Sequence, residues 1–127
     1  MDNSQKRILV VEDDQFLREF YQELLMGEGY NVDVAADGEI AFQKAHEGGY
    51  NLILLDIMLP KKDGLQVMRD LRIHSPLKPN GPIIALTNLG HDVVIKQCFE
   101  LGASGYLIKS ALNPDQVLTE VRSYLQK

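Results

Sequence analysis

The stretch Leu52-Ile53-Leu54-Leu55-Asp56-Ile57-Met58-Leu59-Pro60 sets four apolar residues directly against an acid and closes on a proline. A short apolar run without polar alternation is the pattern of a strand covered on both faces, and a charge at its end needs a partner. Three similar runs lie elsewhere, at Ile8-Leu9-Val10-Val11, Ile83-Ile84-Ala85-Leu86 and Tyr106-Leu107-Ile108, with a weaker one at Val32-Asp33-Val34-Ala35. Between the runs the apolar period lengthens to that of a helix, as in Leu17, Phe20, Tyr21 and Leu24 and again in Val117, Leu118, Val121 and Leu125.

Punctuation agrees with this alternation. Gly27 and Gly29 close the first helix, Asp37-Gly38 and Asp63-Gly64 turn into helices, and Asn113-Pro114 supplies an N-cap followed by proline at the first helical position. The segment from Ser75 to Pro82, with three prolines and a glycine, reads as a loop. The chain is therefore a fivefold β-α repeat, an α/β fold with a doubly wound five-stranded parallel sheet and right-handed crossovers. Ligands of such sheets sit at the carboxyl ends of the strands.

Composition narrows the function classes. The 127 residues, 45% of them hydrophobic, suffice for one core, so a single domain over 1-127 is expected, with residues 1-6 as a flexible tail. A net charge of -5 with scattered basic residues argues against direct nucleic acid binding. Cys98 stands alone and reads as a small buried hydrophobe. The first apolar run is too short for a signal peptide, and nothing approaches the roughly 18 apolar residues of a membrane span. No membrane association and a cytoplasmic location are expected.

Just past the strands stand Glu12-Asp13-Asp14, Asp56, Thr87 and Lys109. Carboxylates from neighbouring strands repel one another in a cleft unless a cation intervenes, and a few hard oxygen ligands suit magnesium sharing its shell with a phosphate. Lys109 brings positive charge from the other side, and Thr87 offers a hydroxyl to an anionic oxygen. Together these groups describe phosphoryl transfer to Asp56 as a carboxylate nucleophile.

These residues resemble the response regulator receiver family of two-component signalling, including the chemotaxis regulators, along almost the whole chain. The resemblance rests on Glu12-Asp13 after the first run, Asp56-Ile57-Met58-Leu59-Pro60 leading to Asp63-Gly64, Leu86-Thr87-Asn88, and Tyr106-Leu107-Ile108-Lys109. It implies a flavodoxin-like (βα)5 fold with strand order 2-1-3-4-5. It also implies that Asp56 is the phosphorylation site, Asp13 a direct magnesium ligand, Glu12 an acidic partner acting through water, and Met58 a backbone carbonyl ligand. Manganese is an alternative ion. Thr87 and Tyr106 are implied as the switch pair, moving the face made by the fourth helix, fifth strand and fifth helix.

The implied partners are a histidine kinase or histidine phosphotransfer protein and an unidentified downstream protein, with a homodimer as one output of phosphorylation. Such a domain is not an enzyme in the ordinary sense, since it catalyses only its own magnesium-dependent phosphorylation and dephosphorylation. Asp14 falls one position beyond the family pair and is expected to begin the first helix.

Several residues depart from the family pattern. Ser110 follows Lys109 where many members have proline, which leaves a cis Lys109-Ser110 bond open. Met58 and Leu89 occupy two positions that tune access of the hydrolytic water, and as apolar groups they predict a long-lived phosphoaspartate. The segment Leu101-Gly102-Ala103-Ser104-Gly105 lacks the acidic pair common in winged-helix transcription factors, which argues against a charged dimer of that type.

Blander readings compete. Asp13, Asp14 and Asp63 could cap helices, Lys109 could be solvated, Thr87 could bond its own backbone, and Tyr106 could be a core aromatic. His46, His74 and His91 form no ligand spacing and are expected at the surface. A flavin or nucleotide binder would need a glycine-rich first loop, and a haloacid-dehalogenase-like phosphatase a second aspartate at position 58. The strongest alternative is a receiver-like interaction domain that is never phosphorylated.

Overall fold

A computed structural model describes residues 3–88, 92–109 and 113–126. Strands and helices alternate without exception: β1 (Arg7–Val11), α1 (Gln15–Gly27), β2 (Asn31–Ala35), α2 (Gly38–Glu47), β3 (Leu52–Asp56), α3 (Gly64–Ile73), β4 (Ile83–Thr87), α4 (Asp92–Glu100), β5 (Gly105–Ile108) and α5 (Pro114–Leu125). All strand pairs are parallel, in the order β2-β1-β3-β4-β5. This is the order the family resemblance implies.

The apolar runs become strands because helices cover both faces of the sheet. Leu9, Val11, Ile53, Leu55 and Ala85 point into one core with Ala41, Ala45, Val67, Met68, Leu71 and Cys98. Ile8, Val10, Leu52, Leu54, Ile84 and Leu86 point into the other with Tyr21, Leu25, Val117 and Val121. Cys98 is buried as expected, and burial pushes its thiol up.

Helix starts follow the local chemistry. Asp14, Asp37 and Asp63 each accept a backbone N–H three residues on, from Leu17, Ile40 and Gln66. Asn113 and Gln116 form a reciprocal capping box, with Pro114 opening α5. The loop from Ser75 to Pro82 is held by backbone bonds from Leu77 N–H to the His46 carbonyl (2.8 Å) and from Gly81 N–H to the Tyr50 carbonyl (2.7 Å).

Two expectations need correction. Tyr106-Leu107-Ile108 is not covered on both faces. β5 is an edge strand, so Tyr106 is 44% exposed and meets Phe99 of α4 edge to face at 6.2 Å between ring centres. His46 is half-buried rather than superficial, because its ring stacks on Phe42 in the α2–α3 contact; His74 is exposed and approaches Phe42 edge-on. Ahead of β1, Lys6 N–H closes a turn onto the Asn3 carbonyl (2.9 Å), and the Asn3 amide donates to the Glu28 carbonyl at 2.7 Å. Leu89, His91 and Ser110, and with Ser110 the question of a cis Lys109-Ser110 bond, lie outside the described residues.

Candidate functional site

Sheet register brings the strand ends together. Val11 pairs with Leu55, so Glu12 emerges beside Asp56; Asp56 pairs with Leu86, and Thr87 with Ile108, so Thr87 and Lys109 follow on the other side. The result is a cleft of about 460 Å³ lined by Glu12, Asp13, Asp14, Leu17, Asp56, Met58, Asn88 and Lys109.

Asp56 sits at the centre and is 1% exposed. One carboxylate oxygen, Oδ1, accepts the Met58 N–H at 3.1 Å and the other, Oδ2, accepts the Lys109 ammonium at 2.7 Å. The turn behind it is tight: Ile57 N–H donates to the Leu86 carbonyl (3.2 Å) and Gly64 N–H to the Ile57 carbonyl (2.9 Å). A Cβ on Gly64 would stand 2.7 Å from the Asp56 carbonyl oxygen, so glycine is needed where α3 meets the acceptor strand.

Glu12 is fully buried. Its Oε2 accepts the Asp14 N–H at 3.2 Å, while Oε1 forms an ion pair with Lys109 Nζ at 2.7 Å but has no donor aligned on it as a hydrogen bond. Burial pushes Glu12 up to about 7; the adjacent Lys109 ammonium works against that rise and Asp56 adds to it. Burial alone would lower Lys109, yet its hydrogen bond to Asp56 and its ion pair with Glu12 outweigh this and hold the ammonium above its ordinary value.

Asp13 is exposed at the cleft mouth and caps nothing, because the cap of α1 is Asp14. Glu12, Asp13 and Asp56 can each direct a carboxylate oxygen to within 4.8 Å of the other two. Three converging carboxylate oxygens, from two buried acids and one exposed one, fit a small hard cation.

Thr87 is buried, and its hydroxyl donates to the Asn88 carbonyl at 3.3 Å. Met58 is 58% exposed and lines the cleft. Asn88 and Leu17 also line the cleft, though sequence reasoning gave neither a role there. Arg18 was missed altogether: its Nη1 donates to the Glu12 carbonyl at 3.0 Å and the Asp13 carbonyl at 3.3 Å. A single basic residue on a helix face carries no sequence signal for such a contact.

The family model for the response regulator receiver domain matches residues 8–122. The chain belongs to this family. As a receiver domain it is 36% identical over 124 residues to the transcriptional regulatory protein ResD of Bacillus subtilis, covering 98% of this chain and 50% of ResD. It is also 36% identical to the transcriptional regulatory protein SrrA of Staphylococcus aureus, covering 94% of this chain and 48% of that protein. The chain thus spans about half the length of these curated relatives.

Among solved structures, it is similar to the receiver domain of the sensor histidine kinase PA1611 from Pseudomonas aeruginosa, at TM-score 0.83 and 28% identity over 98% of this chain and all of that one. That structure holds a magnesium ion coordinated in the active site cleft. The BeF3-activated N-terminal receiver domain of Klebsiella pneumoniae RstA matches at TM-score 0.82 and 34% identity, covering 96% of this chain and 100% of that one. Among the described residues no helix is long and apolar enough to cross a membrane.

Proposed function

We propose that this chain, as one receiver domain over 1-127, is a phosphorylation switch in which Asp56 accepts a phosphoryl group from a phosphohistidine. What supports the reading most is a single arrangement: Lys109 Nζ lies 2.7 Å from both Glu12 and Asp56 in a cleft where three carboxylates can converge. A carboxylate oxygen of Asp56 attacks phosphorus on a histidine kinase or histidine phosphotransfer protein. The O–P bond forms as the P–N bond breaks, and the departing imidazole nitrogen takes the electron pair and a proton.

Asp13 and Asp56 directly, Glu12 through water and Met58 through its carbonyl would hold magnesium or manganese. When bound, the ion supplies positive charge against the phosphoryl oxygens. Lys109 is already aimed at Asp56 Oδ2 and needs little reorganisation to follow the transferred oxygens. The chemistry is confined to the chain's own carboxylate, so the domain is not an enzyme with a separate turned-over substrate.

Thr87 and Tyr106 are the switch pair of this reading. The Thr87 hydroxyl leaves the Asn88 carbonyl for a phosphoryl oxygen, and Tyr106, now outward, turns into the space vacated. The α4–β5–α5 face then presents a changed surface to a downstream protein or to a second copy of the chain, without nucleic acid contact of its own. A cytoplasmic setting suits both the kinase partner and a lone buried Cys98. Met58 in the cleft lining cannot orient water, and Leu89 is expected to act with it, so the phosphoaspartate persists.

Incubation with acetyl phosphate and magnesium tests the reading by intact mass. The parent chain gains one phosphoryl group, and Asp56→Asn or omission of the metal abolishes the gain. No gain in the parent would instead favour a receiver-like interaction domain that is never phosphorylated, and a gain that survives Asp56→Asn would overturn Asp56 as the acceptor.

A further inference from the structure

Arg18 lies one turn into α1 and is not one of the residues that line the cleft. One nitrogen, Nη1, donates to two successive backbone carbonyls, Glu12 at 3.0 Å and Asp13 at 3.3 Å. These belong to the two residues between β1 and the α1 cap, both of which carry carboxylates into the cation pocket. We infer that Arg18 is a positioning residue for the metal: it clamps the β1–α1 backbone so that the carboxylates of Glu12 and Asp13, rather than their carbonyls, face the ion. This rests on the proposed reading of the cleft as a cation site.

The other restraints on this loop leave a gap that Arg18 fills. Glu12 N–H is fixed to the Ala35 carbonyl at 3.1 Å, and Asp14 is fixed by its own N–H to Glu12 Oε2 and by capping Leu17. For the Glu12–Asp13 peptide, by contrast, the described contact that sets its plane is the Glu12 carbonyl accepting from Arg18 at 3.0 Å, and Arg18 adds a second hold on the Asp13 carbonyl of the next peptide. The Asp13 side chain is exposed, and no hydrogen bond to it is seen among the described residues. A flexible exposed aspartate would lose conformational entropy on binding an ion; a fixed peptide plane removes part of that cost beforehand. The guanidinium also sits behind the carbonyls, where its charge offsets part of the acidic crowding without occupying the ion's position.

Arg18→Met keeps an apolar stem of similar reach and removes the donor, while Arg18→Lys keeps the charge and a donor. Magnesium affinity is read by calorimetry and by amide shifts of the isotopically labelled chain. Phosphorylation by acetyl phosphate is followed across magnesium concentration, and unfolding is followed in EDTA. Outer contacts to metal ligands typically carry about ten- to a hundredfold in affinity.

Arg18→Met should weaken magnesium by about tenfold, raise the magnesium concentration needed for half-maximal phosphorylation by a similar factor, and leave the rate at saturating metal close to that of the parent. Arg18→Lys should recover most of the loss, and metal-free unfolding should be nearly unchanged in both. Unaltered magnesium affinity in Arg18→Met overturns the inference, and so does a loss matched by an equal drop in metal-free stability. Failure of the parent chain to bind magnesium would instead remove the proposed reading of the cleft itself.

Discussion

Replacing Gly64 by alanine puts a methyl group into the turn that carries the acceptor. The added Cβ would lie 2.7 Å from the Asp56 carbonyl oxygen, 2.8 Å from Ile57 Cα and 3.0 Å from Ile57 Cδ1. Two of these neighbours are backbone atoms, so a side-chain rotation cannot relieve the contact. The end of β3 must instead move by several tenths of an ångström. Overpacking of this kind costs about 1–3 kcal/mol, and a domain of this size loses about 4 °C for each kcal/mol. The shift also displaces Asp56 relative to Lys109, and misplacement on an ångström scale costs up to about a hundredfold in rate. Gly64→Ala should therefore melt about 4–12 °C below the parent and accept phosphoryl groups about tenfold more slowly. Gly27→Ala is the control, because a Cβ at the end of α1 meets nothing within 4 Å; it should be neutral or slightly stabilising. Calorimetric melting and intact-mass phosphorylation kinetics compare the three chains. Parent-like values for Gly64→Ala, or a larger loss in Gly27→Ala, would refute the packing argument.

Further outcomes follow from the same contacts. Asp56→Asn removes one of two acids buried beside each other and should stabilise the metal-free chain by about 1 kcal/mol, a gap that millimolar magnesium narrows by stabilising the parent; denaturant midpoints in EDTA and in magnesium check both halves. Asp70 is held below the usual carboxylate range by Lys62, then by Gln66. The pair therefore contributes stability above the ordinary carboxylate pKa and loses it as pH falls through the lowered value. Asp70→Asn should cost about 1 kcal/mol or less near neutrality and nothing in strong acid, and a cost independent of pH would exclude the ion pair as its source. Met58→Asn places a group able to orient water in the cleft lining and should speed loss of the phosphoryl group several-fold. Loss from the parent within seconds at neutral pH, without a phosphatase, would contradict the slow reset.

The strands were legible because a parallel sheet covered on both faces leaves uninterrupted apolar runs, and Leu52–Leu55 and Ile8–Val11 are such runs in full. Helix starts were legible because capping is a short-range bond, as Asp14, Asp37, Asp63 and Asn113 demonstrate. Glu12, Asp13, Asp56 and Lys109 could be grouped because parallel strands deliver their carboxyl ends to one edge. What stayed hidden depends on neighbours distant in sequence or on the exact course of a loop. Tyr106 reads as core until β5 proves to be an edge strand. Gly64 reads as a turn residue until the Asp56 carbonyl is found against it. Arg18 carries no signal in the sequence, and its role rests on two carbonyls that accept from it.

The account stands most directly on where a phosphoryl group goes. After brief exposure to acetyl phosphate with magnesium, tandem mass spectrometry of the cleaved chain should place a single phosphoryl group on Asp56, labile to hydroxylamine as an acyl phosphate must be. Phosphate found stably on a serine, threonine or histidine instead, with Asp56 unmodified, would contradict it.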